Sequence, residues 1–129
     1  QGFYSTPIDY ARFLSMLMDD GLVNGKQLLS RDAIARILTP ASKTTMPTGF
    51  AGLDSSYGQL MHLYNKDGKV IAFGHSGSDG TYAWAWPAQD LIVLYFTQSR
   101  GNITMNRMES VVDNLLARPV LNQVRKHHD

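Results

Sequence analysis

The run Phe73-Gly74-His75-Ser76-Gly77-Ser78-Asp79-Gly80-Thr81-Tyr82 holds the side chains best suited to chemistry. An imidazole titrates near neutral pH, so His75 can move a proton or hold an anionic group of a substrate. The three small residues after it, Ser76, Gly77 and Ser78, let a ligand come close to the backbone at a strand end. Backbone N–H groups exposed there can bind a developing oxyanion. The competing structural reading is hairpin chemistry, because Gly77 and Gly80 also suit a tight turn. A lone histidine in a strand is more often structural than catalytic.

Other polar residues fit plainer roles. Ser5, Ser15, Ser42, Ser55, Ser56 and Ser99 have no base beside them in the chain and read as cap, turn or surface residues. His62 reads as a strand residue and His127-His128 as part of a solvated tail. Asp19-Asp20 suits a charged helix end, and Asp54 and Asp67 suit loops. Tyr82, Trp84 and Trp86 alternate with Thr81, Ala83 and Ala85, a stripe that could stack a sugar but reads as core. Met16, Met18, Met105 and Met108 fit helix packing faces. No phosphate-cradling glycine loop and no metal-ligand spacing occurs in the sequence. The chain has no cysteine, which removes thiolate catalysis and disulfides. No cofactor and no metal is implied.

The elements that would position His75 follow from periodicity. Thr6 caps a first helix with Pro7 at its first position and Asp9 in its first turn. Ile8, Ala11, Leu14, Leu17 and Met18 form its apolar face, and Gly21 stops it. Residues 21–26 read as a loop. A second helix starts at Ser30, shows Ile34, Ile37 and Leu38 on one face, and ends at Pro40. Residues 39–56 read as a long loop. The period then changes: 57–64 and 70–75 flank a turn at 65–69, and 81–86 follows a Ser78-Asp79-Gly80 turn. Pro87-Ala88-Gln89-Asp90 turns the chain into Leu91–Thr97, a continuous apolar run expected to be buried on both faces. A last helix carries Met105, Met108, Val111, Val112, Leu115 and Leu116 and is broken at Arg118-Pro119; Arg125–Asp129 is the tail. Short loops imply antiparallel neighbours. The expected class is α+β, with an antiparallel sheet of about three to four strands flanked by a helix layer on each face.

With 129 residues, 43% hydrophobic and 18% charged, the composition suits one folded domain, 1–129, or a fragment of a larger one. A net charge of +1 gives no field that would draw nucleic acid. No apolar run approaches the roughly 20 residues that span a bilayer.

The motif around His75 resembles the third active-site motif of the serine hydrolase family that includes class C β-lactamases, DD-peptidases and esterases, written Lys-Thr-Gly in many members and His-x-Gly in others. Three other stretches resemble the same family in order: Ser5-Thr6-Pro7-Ile8-Asp9-Tyr10-Ala11-Arg12-Phe13 as a helix start, Leu22-Val23-Asn24-Gly25-Lys26-Gln27-Leu28-Leu29-Ser30 as the lead into the next helix, and Trp86-Pro87-Ala88-Gln89-Asp90-Leu91-Ile92-Val93 as a turn between strands. The resemblance covers nearly the whole chain. It implies the C-terminal portion of the β-lactamase/transpeptidase-like fold. It also implies that His75 holds a substrate carboxylate or assists proton transfer, that Ser76 and Gly77 line the same edge, and that the Ser78 N–H is half of an oxyanion hole.

The rest of the family's machinery is not in this sequence. None of its serines has Lys three residues on, and no tyrosine has Asn two positions on. Ser-x-x-Lys supplies the family's nucleophile and its activating amine, and in the family both motifs lie upstream of the region matched here. The expected function is therefore a C-terminal fragment of a serine hydrolase. The whole protein would hydrolyse a β-lactam, a D-Ala-type peptide or an ester through an acyl-enzyme, and the fragment alone would be inactive. The alternative is a non-catalytic ligand-binding or interaction module with the same sheet. The family's last strand pairs with an N-terminal strand, so residues 91–97 are expected to show an open edge that favours a homodimer or a complementing chain. A periplasmic or extracellular location is the family expectation.

Overall fold

The computed structural model describes residues 4–44, 52–99 and 103–117. Helix α1 is Pro7–Met18. The Thr6 hydroxyl accepts from the Asp9 N–H at 3.2 Å and donates to Asp9 Oδ2 at 3.0 Å, closing the first turn from both sides. Leu14, Met16 and Leu17 are its buried residues; Ile8, assigned to the apolar face from its spacing, is 67% exposed.

Residues 21–26 are not a plain loop. β1 (Leu22–Val23) pairs antiparallel with β2 (Lys26–Gln27). Asn24 and Gly25 between them have φ of 49° and 76°, the conformation a two-residue hairpin turn requires. Helix α2, Arg31–Ile37, starts where Ser30 accepts from the Ala33 N–H at 3.2 Å.

The main sheet has six antiparallel strands in sequence order, two or three more than the periodicity implied. They are β3 (Ser42–Lys43), β4 (Asp54–Tyr57), β5 (His62–Lys66), β6 (Lys69–Ser76), β7 (Tyr82–Trp86) and β8 (Leu91–Tyr95). The extra strands arise where residues 39–56 were expected to be loop, since β3 and all of β4 but Tyr57 fall inside that stretch. The expected 57–64 strand is split as well. Tyr57 ends β4, and the Gly58 N–H bonds the Met61 carbonyl at 2.9 Å to turn the chain back into β5. Serine-rich β4, Asp-Ser-Ser-Tyr, has weak strand propensity of its own and is held by its four register partners on β5. Asp67 and Gly68 make the β5–β6 turn at φ of 50° and 75°.

Helices cover both faces, as expected. On one face Leu14, Leu17 and Ile34 from α1 and α2 pack with Leu63, Phe73, Ala83 and Ala85. On the other, Val112 of helix α3 (Ile103–Ala117) packs with Tyr64, Ala72, Tyr82, Trp84 and Trp86. The aromatic stripe is thus core: Trp84 is fully buried and stacks on Tyr64 with ring centroids 4.1 Å apart. The sheet-facing line of α3 is narrower than its apolar spacing suggested. Met108 and Val112 face the sheet, whereas Val111 is 50% and Leu115 40% exposed. The line also contains a carboxylate, Glu109, 1% exposed, which accepts from the Tyr64 hydroxyl. Burial first, and Glu109 second, raise the Tyr64 and Tyr82 phenols above their ordinary value, so both remain protonated, and Tyr64 is the donor to Glu109.

β8 is shorter than the apolar run 91–97 and lies at the end of the sheet order. Its residues 91–94 face both apolar clusters yet remain half-buried, and Tyr95 is exposed, because β7 flanks the strand on one side only among the described residues. Residues 45–51, the Arg118-Pro119 break and the tail 120–129, with His127 and His128, lie outside the described residues. Among the described residues no helix is long and apolar enough to cross a membrane.

Candidate functional site at the end of strand β6

β6 carries the motif to the surface. Phe73 is buried, Gly74 is buried, His75 is exposed and Ser76 is half-buried. The strand needs glycine at 74 because its register places Gly74 between His62 on β5 and Trp84 on β7. The His62 and Trp84 rings meet edge to face across it, 5.2 Å apart. His75 Nδ1 lies 2.8 Å from the Ser76 carbonyl. The Ser76 hydroxyl accepts from the Trp84 indole N–H at 3.3 Å, which ties this serine to the buried ring beneath it.

After Ser76 the chain closes a tight loop. The Gly77 N–H donates to the Thr81 carbonyl at 2.8 Å and the Gly80 N–H to the Gly77 carbonyl at 3.0 Å. Ser78 takes part in neither bond and is exposed. The loop therefore satisfies its own ends and, among the described residues, shows no backbone bond from the Ser78 N–H, two residues past the end of β6. Such a donor can meet an oxyanion without giving up a bond within the loop.

A second histidine belongs to this region. His62, 6% exposed, shares a hydrogen bond through Nε2 with the Ser55 hydroxyl on β4. Its ring stacks on Tyr57 with centroids 4.8 Å apart at 15°. Tyr57 in turn lies 6.0 Å from the His75 ring. Ser55, read from its neighbours as a turn or surface residue, is thus paired with an imidazole seven residues away. The link is diagonal across two strands, so no local pattern in the sequence displays it. At the same sheet end Leu60 is 94% exposed at φ 63°, a strained position for leucine.

The Ser55–His62 pair does not work as a nucleophile and its base. Burial, and secondly the nearby charge of His75, lower the His62 pKa from 6.5 to about 4, which makes its neutral ring a poor proton acceptor at neutral pH. The lowered value predicts a pH-dependent stability. The unfolded chain binds the His62 proton more readily than the folded chain does. His62's contribution is therefore complete above pH 6.5 and is lost as pH falls from there to about 4. The loss is on the order of 3–4 kcal/mol, since each pH unit between the folded and unfolded values is worth about 1.4 kcal/mol. Thermal melts across this range should show an acid limb that flattens in His62→Gln. An unchanged limb in that variant would assign the acid lability elsewhere.

Comparison with known proteins fits this geometry. A family model described as "Beta-lactamase" matches residues 1–118. Two Mycobacterium tuberculosis proteins are similar to the chain: "Protein Rv1367c" of strain ATCC 25618 / H37Rv and "Uncharacterized protein MT1414" of strain CDC 1551 / Oshkosh. Each is 27% identical over 127 residues, an alignment covering 88% of this chain and 32% of the relative. The chain thus spans about a third of the length of these curated relatives. With the family model matched over nearly all its length, the chain belongs to the β-lactamase family.

Proposed function

We propose that this chain forms the substrate-binding edge of a serine hydrolase that works through an acyl-enzyme on a β-lactam, a D-Ala-type peptide or an ester. In this reading His75 holds a substrate carboxylate or assists proton transfer. Ser76 and Gly77 line the edge, and the Ser78 N–H forms half of the oxyanion hole. The nucleophilic serine and its lysine belong to a segment outside these 129 residues. The observation that carries the reading is the loop at 77–81. It closes on its own backbone bonds and leaves Ser78 exposed, three residues after an exposed histidine, in a chain whose ten serines include none with Lys three residues on.

The edge of β8 supports the same division of labour. It ends the sheet order and, among the described residues, presents unpaired strand backbone, which pairs readily with another strand. On its own the chain is expected to form a homodimer or to capture a complementing segment through this edge. The test is to compare the 129-residue chain with the same chain extended upstream as its gene encodes it. The extended protein should hydrolyse nitrocefin or p-nitrophenyl acetate, and the short chain should not. An extended protein that binds a β-lactam without turning it over, and that lacks Ser-x-x-Lys, would identify a non-catalytic binding module instead.

A further inference from the structure

We propose that Ser55 and His62 are positioning residues that hold the Tyr57 ring beside His75 and so fix the imidazole at the substrate edge. This rests on the reading above that His75 lines that edge. His75 itself is exposed, and an exposed side chain adopts several rotamers unless something blocks them. Its neighbour Tyr57 is half-buried, with its ring tilted at 48° to the imidazole. Behind Tyr57 stands His62, stacked almost parallel to it. His62 is clamped from three sides: the Trp84 ring edge to face at 5.2 Å, the Tyr64 ring at 5.4 Å, and the Ser55 hydroxyl on Nε2. Trp84 is fully buried, so the stack is anchored in the core and ends at the surface on His75.

The chemistry of each member suits this order. Because His62 is uncharged at neutral pH, it offers Tyr57 a flat and neutral ring face. One hydrogen bond shared with Ser55 sets the rotation of the imidazole plane, and the stacked Tyr57 follows that plane. A phenylalanine at 62 would fill the space but lose the bond that fixes its rotation. Positioning of this kind matters because small misplacements of a reacting group cost large factors in rate.

The test reads contact between Tyr57 and His75 directly by NMR on the chain. Wild-type protein should show cross-peaks between the Tyr57 ring and the His75 ring protons, with His75 shifted by the tyrosine ring current. Ser55→Ala and His62→Phe should each lose the cross-peaks and move the His75 ring shifts toward those of the Tyr57→Leu variant. Ser55→Thr, which keeps the hydroxyl, should restore them. A role confined to fold stability would lower the melting temperature and leave the His75 shifts in place. Persistence of the cross-peaks in folded Ser55→Ala would overturn the proposal, and His62→Phe decides it if Ser55→Ala does not fold. Since no turnover is measured, loss of contact in a protein that never hydrolyses anything would count against the hydrolase reading alone.

Discussion

Alanine at position 74 is expected to unfold the chain or lower its melting temperature by roughly 10 °C or more. A Cβ on Gly74 would stand 2.7 Å from Trp84 Cα and 2.8 Å from Trp84 Cγ, and closer still to the Ala83 carbonyl oxygen. Two of those neighbours are backbone atoms of β7, the strand paired with β6, and the third is the root of a fully buried ring. None can move without disturbing the pairing of β6 with β7, two interior strands of the sheet. Overpacking at ordinary core sites costs about 1–3 kcal/mol, and a backbone clash in a central strand belongs at or beyond the top of that range. At about 4 °C per kcal/mol for a chain of this size, the loss is a large part of a typical domain's stability of about 5–15 kcal/mol. Gly68→Ala is the control. Its φ of 75° makes alanine strained, yet nothing lies within 4 Å of the added Cβ, so the cost should be about 1–2 kcal/mol. A larger loss in Gly68→Ala than in Gly74→Ala would mean that the close approach of β6 to β7 is not what glycine serves here.

The second large effect concerns rate. In the upstream-extended, hydrolysing protein, His75→Ala should lower kcat/KM by about 10²–10⁴, the range found when a positioned proton-transfer group is removed. His75→Lys should retain a substantial part of the activity. An ammonium can hold a carboxylate as an imidazolium does, and the family motif resembled here carries Lys in many members. His75 lies one residue before the end of β6 and is exposed, so neither change removes core packing and both proteins should melt near the wild-type temperature. Equal activity in His75→Ala would remove this residue from the reaction.

Much of the local structure around the candidate site was legible in the sequence. The small residues after His75, the hairpin at Ser78-Asp79-Gly80 and the caps at Thr6 and Ser30 are all local signals, and each appears in the structure where its chemistry placed it. What escaped depends on contacts between residues distant in the chain. Ser55 meets His62 only because β4 and β5 pair in one register. Strand β4 itself is held by that pairing rather than by its own Ser-Ser content. Glu109 gave no apolar signal, because a buried carboxylate answered by the Tyr64 hydroxyl breaks the helix pattern that would have revealed it. The Asn24-Gly25 hairpin was different: its two-residue turn signal was present, but two-residue strands are too short to show alternation. The apolar run at 91–97 indicated a strand correctly, but periodicity says nothing about which edge has a neighbour, and β8 is only half-buried.

The proposed division of an active site between this chain and a segment outside it can be tested by finding where the acyl group lands. The upstream-extended protein would be incubated with a penicillin, trapped at short times, digested and mapped by mass spectrometry. The account predicts one acyl adduct on an upstream serine followed by x-x-Lys, and no adduct on any serine from Ser5 to Ser110. An adduct on a serine of this chain, Ser55 and Ser76 included, would contradict it.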